Sequence, residues 1–300
     1  MDTPADLCAH PPADHPAGPA ADHSADRPDG APGRLELAND NAAAFWLAQA
    51  AANGWDHLRR PHYTAVRRDG AGHRVVITRP YAEPDRLREE LADLLIGTWG
   101  GGPFCLEDPY GRLDLAALGC EAGLGQAVMV REPGPLPAAA LTTRRPPRPT
   151  GPAPAAARED RERREVHGAV DADGLADVER VIVDGFPIRD RQPWRRGELL
   201  PPALLAQPGV RAWLGLLDGR PAGACITYED LRAGTVGVYW VATLPDARSR
   251  GIARAVVTHA LAAHPDRTAT LVATLLGEPL YRHLGFTPRA LTHWWRHQPH

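Results

Sequence analysis

Three hundred residues carry 34 basic side chains, all of them arginine, against 37 acidic ones, and the net charge of −3 lacks the basic excess of a nucleic-acid-binding surface. No stretch approaches the roughly 18 consecutive apolar residues of a membrane span, and Met1-Asp2-Thr3-Pro4-Ala5-Asp6 opens without the basic-then-apolar order of a secretory signal. Cys8, Cys105, Cys120 and Cys225 are scattered without metal-ligand spacing or disulfide density, so a reducing cytoplasm and no metal are the expectations.

Residues 1–34 are rich in Pro, Ala, Asp, His and Gly and hold almost no large apolar side chain. Such a segment buries too little surface to offset its ordering entropy and reads as a disordered tail. Cys8, His10, His15 and His23 are too irregularly spaced within it to favour a metal site. The absence of lysine beside abundant alanine reads as the codon usage of a GC-rich bacterial genome.

Residues 35–131 read as a small α/β domain. Asn39 is suited to cap a helix through Phe45, Trp46, Leu47 and Ala50 that stops near Gly54. Tyr63–Arg68 and His73–Thr78 predict a hairpin joined at Asp69-Gly70. Leu87, Leu91, Leu94 and Leu95 recur at helical spacing behind Pro84. Strands are expected around Phe104–Leu106 and Gln126–Val130. Residues 132–162 are proline-rich, then charged, and predict a semi-rigid linker.

The segment 163–300 alternates more regularly. It predicts a strand at Val166–Val170, a helix carrying Leu175, Val178, Val181 and Ile182 on one face, and a second helical stretch at Pro201–Ala206. Strands at Ala212–Leu217 and Ala222–Tyr228 meet at Asp218-Gly219, a hairpin signal. A strand at Val236–Ala242, a helix over Gly251–Ala263, a strand at Thr268–Ala273 and a helix at Glu278–Leu284 follow. Closing strands are expected near Phe286 and at Thr292–Trp295. The fold class is α/β, a mixed sheet with helices on its faces.

The chemistry concentrates where the strand Tyr239-Trp240-Val241-Ala242-Thr243 turns through Arg248-Ser249-Arg250-Gly251-Ile252-Ala253-Arg254 into a helix. The first amides of a helix have no intrahelical partner and, with the helix dipole, favour an anion. Gly251 and Ala253 let a phosphate approach the backbone, and Arg248, Arg250 or Arg254 can add charge. The loop is neither a nucleotide P-loop nor a dinucleotide fingerprint, so the expected ligand is some other phosphate carrier, set against an ordinary turn with solvated arginines.

Arg-x-x-Gly-x-Ala after Val241-Ala242-Thr243-Leu244-Pro245 resembles the coenzyme A signature of the Gcn5-related N-acetyltransferase (GNAT) superfamily. Downstream, Leu271-Val272-Ala273-Thr274 followed by Leu280-Tyr281-x-x-x-Gly285-Phe286 resembles that superfamily's second motif. The resemblance covers about Glu165 to Arg296. It implies a GNAT-like acyl-CoA N-acyltransferase fold preceded by the smaller α/β domain, and acetyl-CoA as co-substrate. The implied reaction is direct acetyl transfer to a primary amine of a small molecule or peptide in a ternary complex.

The resemblance further implies that backbone groups of Val241 and Thr243 pair with the pantetheine arm and that the amides of Arg250 to Ala255 hold the pyrophosphate, with Ala242, Arg248, Ser249, Arg250, Gly251, Ile252, Ala253 and Arg254 all counted to the coenzyme site. Thr274 belongs to the same coenzyme contact. The Val241 amide would polarise the thioester carbonyl, and Tyr281 falls on the family's general-acid position. A leaving thiolate of pKa about 8.5 and a tyrosine near 10 make that proton delivery feasible. Phe186, Pro187, Trp194, Trp240, His293, Trp294 and Trp295 are candidates for the acceptor side, or for core and lid.

The glutamate that many relatives carry on the strand before the loop is replaced by Val238, Tyr239 and Trp240. Glu229 is the nearest candidate base, with Asp230 beside it; a solvated turn there, or a water chain as base, is the competing reading. The missing acid keeps open a catalytically silent acyl-CoA-binding or protein-interaction module. Tyr110-Gly111-Arg112-Leu113-Asp114, Leu118-Gly119-Cys120 and Val128-Met129-Val130-Arg131 resemble the end of a GNAT unit, so residues 35–131 are expected to be a degenerate lobe. No nucleic-acid or membrane partner is expected; a homodimer is compatible with the sequence.

Overall fold

In the computed structural model, which describes residues 32–68, 72–137, 163–186, 188 and 191–297, twelve strands share one sheet. The expected tail, apart from residues 32–34, the Asp69-Gly70 turn, Pro187 and most of the expected linker lie outside the described residues.

The chain enters as helix α1, Arg34–Asn53, which stops where Gly54 turns left-handed at φ 69°. Its N-cap is Gly33, so Asn39 is not the cap the sequence pattern suggested. The run Arg34-Leu35-Glu36-Leu37-Ala38 is itself a good helix former and extends the helix backwards. Asn39 lies buried within it, its amide 3.4 Å from the Tyr110 hydroxyl.

Strands β1 (His57–Arg59), β2 (Tyr63–Val66) and β3 (His73–Ile77) follow. Helix α2 (Pro84–Ala92) continues into a π-helical turn at Asp93–Thr98, and strands β4 (Phe104–Asp108), β5 (Cys120–Ala122) and β6 (Gln126–Arg131) complete the first lobe. β2 and β3 pair antiparallel as expected, while α2 carries the chain over to β4, parallel to β3. Tyr63, Leu91, Leu95, Leu106 and Leu115 form this lobe's core.

The second lobe runs β7 (Arg164–Ala169), α3 (Ala172–Gly185), a 3-10 turn at Pro202–Ala206, β8 (Val210–Leu217), β9 (Arg220–Asp230) and β10 (Thr235–Thr243). It ends with α4 (Ile252–Ala262), β11 (Thr268–Ala273), α5 (Glu278–His283) and β12 (Thr287–His297). Asp171 caps α3 by accepting the Gly174 N–H at 2.8 Å. Asp218 and Gly219 turn the β8–β9 hairpin with φ of 52° and 76°, the signs that a two-residue hairpin turn needs.

The strand order is β1-β2-β3-β4-β12-β6-β11-β10-β9-β8-β7, with β5 on β12. Strand β6 of the first lobe therefore lies inside the second lobe's sheet. It pairs Val130 with Thr270 of β11 on one side and Val128 with Ala290 of β12 on the other. The separate closing strands expected near Phe286 and at Thr292–Trp295 are instead one strand. Thr287–Thr292 lie on β6, and His293–His297 continue onto β4. With β6 filling the position between β11 and β12, β12 has no need to turn back.

One face of the second lobe is covered by α4 and α5, which bury Val238, Val256, Leu271, Tyr281 and Phe286 together. The other is covered by α3 and by α1 of the first lobe, whose Phe45 packs with Ile182, Ile226 and Ala242. Phe45 is only 1% exposed, and burial of that order contributes roughly 1.5–3 kcal/mol per large apolar side chain.

Candidate active site

Strands β10 and β11 pair only over Thr235–Gly237 and Thr268–Thr270. Beyond that point β11 stays paired with β6 through Ala273, while β10 runs on to Thr243 beside β9. The two parallel strands therefore part from Val238 onward and open a cleft in the sheet. A bulge between Tyr239 and Ala242 sharpens the divergence. At its centre Trp240 has φ 53°, a left-handed conformation that a bulky residue holds only when its surroundings impose it. Val241 and Thr243 line the β10 side half-buried, and Ala242 is buried.

At the wide end of the cleft, a 3-10 turn at Pro245–Ala247 leads into the loop before α4. Ser249 and Gly251 are left-handed at φ 61° and 78°. The N-cap Gly251 has no side chain to occupy the first amides, and the first helical bond runs from Ala255 N–H to the Gly251 carbonyl. The amides of Ile252, Ala253 and Arg254 precede that bond and are left without intrahelical partners at the start of an eleven-residue helix, an end of the kind that favours an anion. Nothing closer than the Arg164 guanidinium, 3.8 Å away, meets the position of a Cβ on Gly251. Arg164 of β7 thus stands beside the loop, a residue that sequence spacing gave no means of finding.

The loop arginines are not equivalent. Arg248 donates to the Gly185 carbonyl at 3.0 Å and to the Thr243 carbonyl at 3.4 Å, which ties the loop to the end of α3. Arg250 lies 3.8 Å from the Asp218 carboxylate. Thr274 accepts the Gly277 N–H at 3.2 Å and shapes the turn into α5.

Tyr281, on α5, is buried on the α4–α5 face with its ring edge-on to Phe286. Burial first, and then the neighbouring Cys225, push its hydroxyl well above the ordinary tyrosine range. The phenol therefore stays protonated through the neutral range, as a proton donor must. Cys225 is fully buried and its thiol is likewise pushed up by desolvation. A protonated, inaccessible thiol is no nucleophile.

The structure separates the expected acceptor-side residues. Phe186 and Trp240 meet edge-on, ring centroids 6.1 Å apart, and Trp46 of α1 adds a third ring 6.4 Å from Trp240. Trp194 packs against the same core cluster as Phe186 and Trp240 and is tied to α3, its indole donating to Glu179 at 3.2 Å. Trp294 lies on the part of β12 that pairs with β4, its ring 5.9 Å from the Arg74 guanidinium. Trp295 packs against the first lobe's core, and His293 approaches Gly111.

Glu229 does not reach the cleft. It faces Val236 near the start of β10, and the five residues from there to Val241 span about 16 Å at about 3.3 Å each. Its carboxylate instead accepts from Arg267 at 2.7 Å and lies 3.3 Å from His264. Asp230 takes the Arg232 and Ala233 amides at 2.9 and 3.1 Å, closing a turn.

On the α1 face a small chamber of about 20 Å³ lies where β10 and β11 begin to part. Tyr239 of β10 and Thr270 and Val272 of β11 line one side, Glu107 of β4 and Thr292 of β12 also line it, and α1 contributes Ala38, Asn39 and Ala42. Burial pushes the Glu107 carboxyl up to about 7, against the opposing pull of the Arg74 guanidinium and a hydrogen bond from Trp46. Sequence reasoning missed Glu107, because nothing local marks an acid on a short strand as a neighbour of Tyr239. Among the described residues no group of three His, Cys, Asp or Glu side chains is placed to hold a metal.

Residues 208–288 match the acetyltransferase (GNAT) domain, the segment that holds the cleft, the loop and Tyr281. Among solved structures, a GCN5-related N-acetyltransferase from Kribbella flavida superposes with a TM-score of 0.53 at 16% identity, over 86% of this chain and 96% of that one. A functionally unknown conserved protein from Staphylococcus epidermidis ATCC 12228 also gives a TM-score of 0.53, at 10% identity, over 82% and 95% of the two chains. No curated protein matches the chain.

Proposed function

We propose that this chain, which carries a GNAT acetyltransferase domain over residues 208–288, moves an acetyl group from acetyl-CoA to a primary amine of a small molecule or peptide. The transfer is direct, within a ternary complex. The observation that carries the reading is the parting of β10 from β11 beside the left-handed Ser249 and Gly251 and next to buried Tyr281. A helix end suited to an anion, an open strand edge and a phenol packed in the same core cluster as Val238 and Leu271 suit the parts of such a reaction.

The residues present fit a coenzyme A thioester. The amides of Ile252–Arg254 suit a pyrophosphate, with Arg164 and Arg250 supplying charge nearby. Among the described residues the β10 edge beyond Gly237 has no strand partner on its cleft side, so the amides and carbonyls of Val241 and Thr243 suit an extended pantetheine arm. Bound there, the thioester supplies an activated acyl carbon. The Val241 N–H polarises its carbonyl, and Tyr281 delivers a proton to the departing sulfur. Phe186, Trp240 and Trp46 wall the acceptor side.

The first lobe is best read as a degenerate GNAT-like unit without a coenzyme site of its own. Its crossover helix α2 begins with Glu83, Pro84 and Asp85. Two carboxylates and a missing amide disfavour an anion there. What this lobe supplies is α1 over one face and β6 within the sheet.

The test is acetyl-CoA binding by calorimetry together with coenzyme A release across a panel of primary amines. Micromolar binding and turnover with at least one amine class support the reading. Binding without turnover across the panel favours a silent acyl-CoA-binding module, and absence of binding at millimolar acetyl-CoA removes the reading.

A further inference from the structure

We propose, resting on the acyl-transfer reading above, that Glu107 of the first lobe is the group that takes the proton from the acceptor amine, through the chamber beneath α1. The sheet brings it there from a sequence position far from the coenzyme loop. β4 lies beside β12, β12 beside β6, and β6 beside β11, so the inward face of β4 looks into the space that Tyr239 and Thr270 close from the other side.

Three observations point to Glu107 over other groups. The cleft strand itself offers no acid, with Val238, Tyr239 and Trp240 in sequence, and Glu229 and Asp230 are engaged at the far end of β9. Among the residues lining the chamber, Glu107 alone carries a carboxylate. The chamber is also polar where it needs to be. Among the described residues the buried hydroxyl of Thr292, 1% exposed, has no hydrogen-bond partner, and Thr270 and Tyr239, whose hydroxyl is bonded to Asn41, line the same chamber. A void of about 20 Å³ takes about one water molecule. A single water there would satisfy Thr292 and link the mouth of the cleft to Glu107.

The charges around Glu107 suit the task. Arg74 of β3 and the Trp46 indole of α1 favour the carboxylate, Tyr239 of β10 faces it from across the chamber, and Trp294 is its register partner on β12. Arg74 is itself held between rings, 4.7 Å from the centroid of Trp46 and 5.9 Å from that of Trp294. Burial outweighs these attractions and leaves the carboxyl up near 7. A base poised there accepts a proton at neutral pH and returns it to solvent afterwards. Proton removal and proton delivery then fall on opposite faces of one sheet, Glu107 on the α1 face and Tyr281 on the α5 face.

The protons balance. The ammonium acceptor gives one proton through the water to Glu107. The free amine nitrogen bonds to the acyl carbon as the carbon–sulfur bond breaks. Sulfur takes the Tyr281 proton, and Tyr281 regains one from the new amide nitrogen. Glu107 releases its proton to solvent, so an ammonium ion and a thioester yield an amide, a thiol and one proton.

The test compares two nucleophiles on the full chain. Benzylamine is an ammonium ion at neutral pH and must be deprotonated; hydroxylamine is already neutral. Glu107→Gln is expected to lower kcat/KM for benzylamine about 100-fold, while acetyl-CoA affinity and the hydroxylamine rate stay within about threefold of wild type. In the wild type, the benzylamine profile should carry an acidic limb near pH 7 that the hydroxylamine profile lacks, a readout that requires no variant. Equal loss with both nucleophiles, or a Glu107→Gln protein that keeps the benzylamine limb, overturns the assignment to Glu107. A wild type that does not bind acetyl-CoA, or that acylates no amine of the panel above, overturns the acyl-transfer reading beneath it, and a wild type active only on another alkylamine of that panel is tested with that amine in place of benzylamine.

Discussion

The Tyr239 hydroxyl donates to Asn41 Oδ1 at 2.6 Å across 198 residues of chain. The same amide group of Asn41 donates to Thr235 Oγ1 at 2.8 Å and to the Tyr228 carbonyl at 3.3 Å. One fully buried side chain of α1 thus ties the first lobe to the strand that opens the cleft. Gly237 makes the arrangement fit, since a methyl there would collide with both the Asn41 amide and the Tyr239 ring.

Asn41→Ala removes three bonds and leaves buried groups unpaired, each costing about 1–3 kcal/mol. We expect the unfolding free energy to fall by about 3 kcal/mol, measured by urea denaturation, with Gly237→Ala destabilising comparably through the clash. A change below about 0.5 kcal/mol in both would mean that α1 is not held to β10 as described.

The two lobes share their sheet, so neither half should fold alone. A fragment of residues 163–297 loses β6 and leaves β11 and β12 with bare inner edges, a template for aggregation. It is expected to lack a cooperative melt, and co-expression with residues 32–137 should restore one. A fragment 163–297 that melts cooperatively by itself contradicts the strand exchange.

Much of the second lobe was legible because its punctuation is local. Asp218-Gly219, Gly251 and the spacing of Leu175, Val178, Val181 and Ile182 each announce an element within a few residues. Non-local features were not legible. Nothing around Gln126–Arg131 says that these residues pair with Thr268–Ala273, and nothing around Thr287–His297 announces one strand serving two lobes. The loop and Tyr281 were readable as motif residues, whereas Arg164 comes beside the loop, and Glu107 into one chamber with Tyr239, only through strand order. Glu229 misled because closeness in sequence to β10 is closeness to its wrong end.

Gly251→Asn and Gly251→Ala separate conformation from bulk. Asparagine tolerates the left-handed φ of 78° better than alanine, yet both place atoms where a phosphate would sit. Acetyl-CoA affinity measured by calorimetry should drop about tenfold or more in both, the cost of about 1.4 kcal/mol in lost amide contacts. Only Gly251→Ala should also lower the melting temperature appreciably. Unchanged affinity in Gly251→Asn would place the pyrophosphate elsewhere.

His264 gives a pH signature remote from the cleft. It is buried beside Glu229, Arg267 and Arg211, and burial, reinforced by the two arginines, lowers its pKa below the ordinary 6.5 despite the attraction of Glu229. A folded-state pKa below the unfolded one means the stabilising contribution is complete above about 6.5. It is lost as the pH falls from there through the folded value. Chemical denaturation across pH 5–8 should show stability falling on the acidic side, and His264→Gln should flatten that slope. A wild-type protein equally stable across the range contradicts the account of this cluster.

Acyl transfer in the cleft beside Tyr281, as proposed, is put to the test by Tyr281→Phe. The substitution removes one hydroxyl and leaves the ring that packs on Phe286. Acetyl-CoA affinity by calorimetry and kcat for an amine that the wild type acetylates should be measured side by side. Affinity is expected within about twofold of wild type and kcat reduced by about 100-fold, the range of a lost general acid. An unchanged kcat at unchanged affinity would contradict that role for Tyr281.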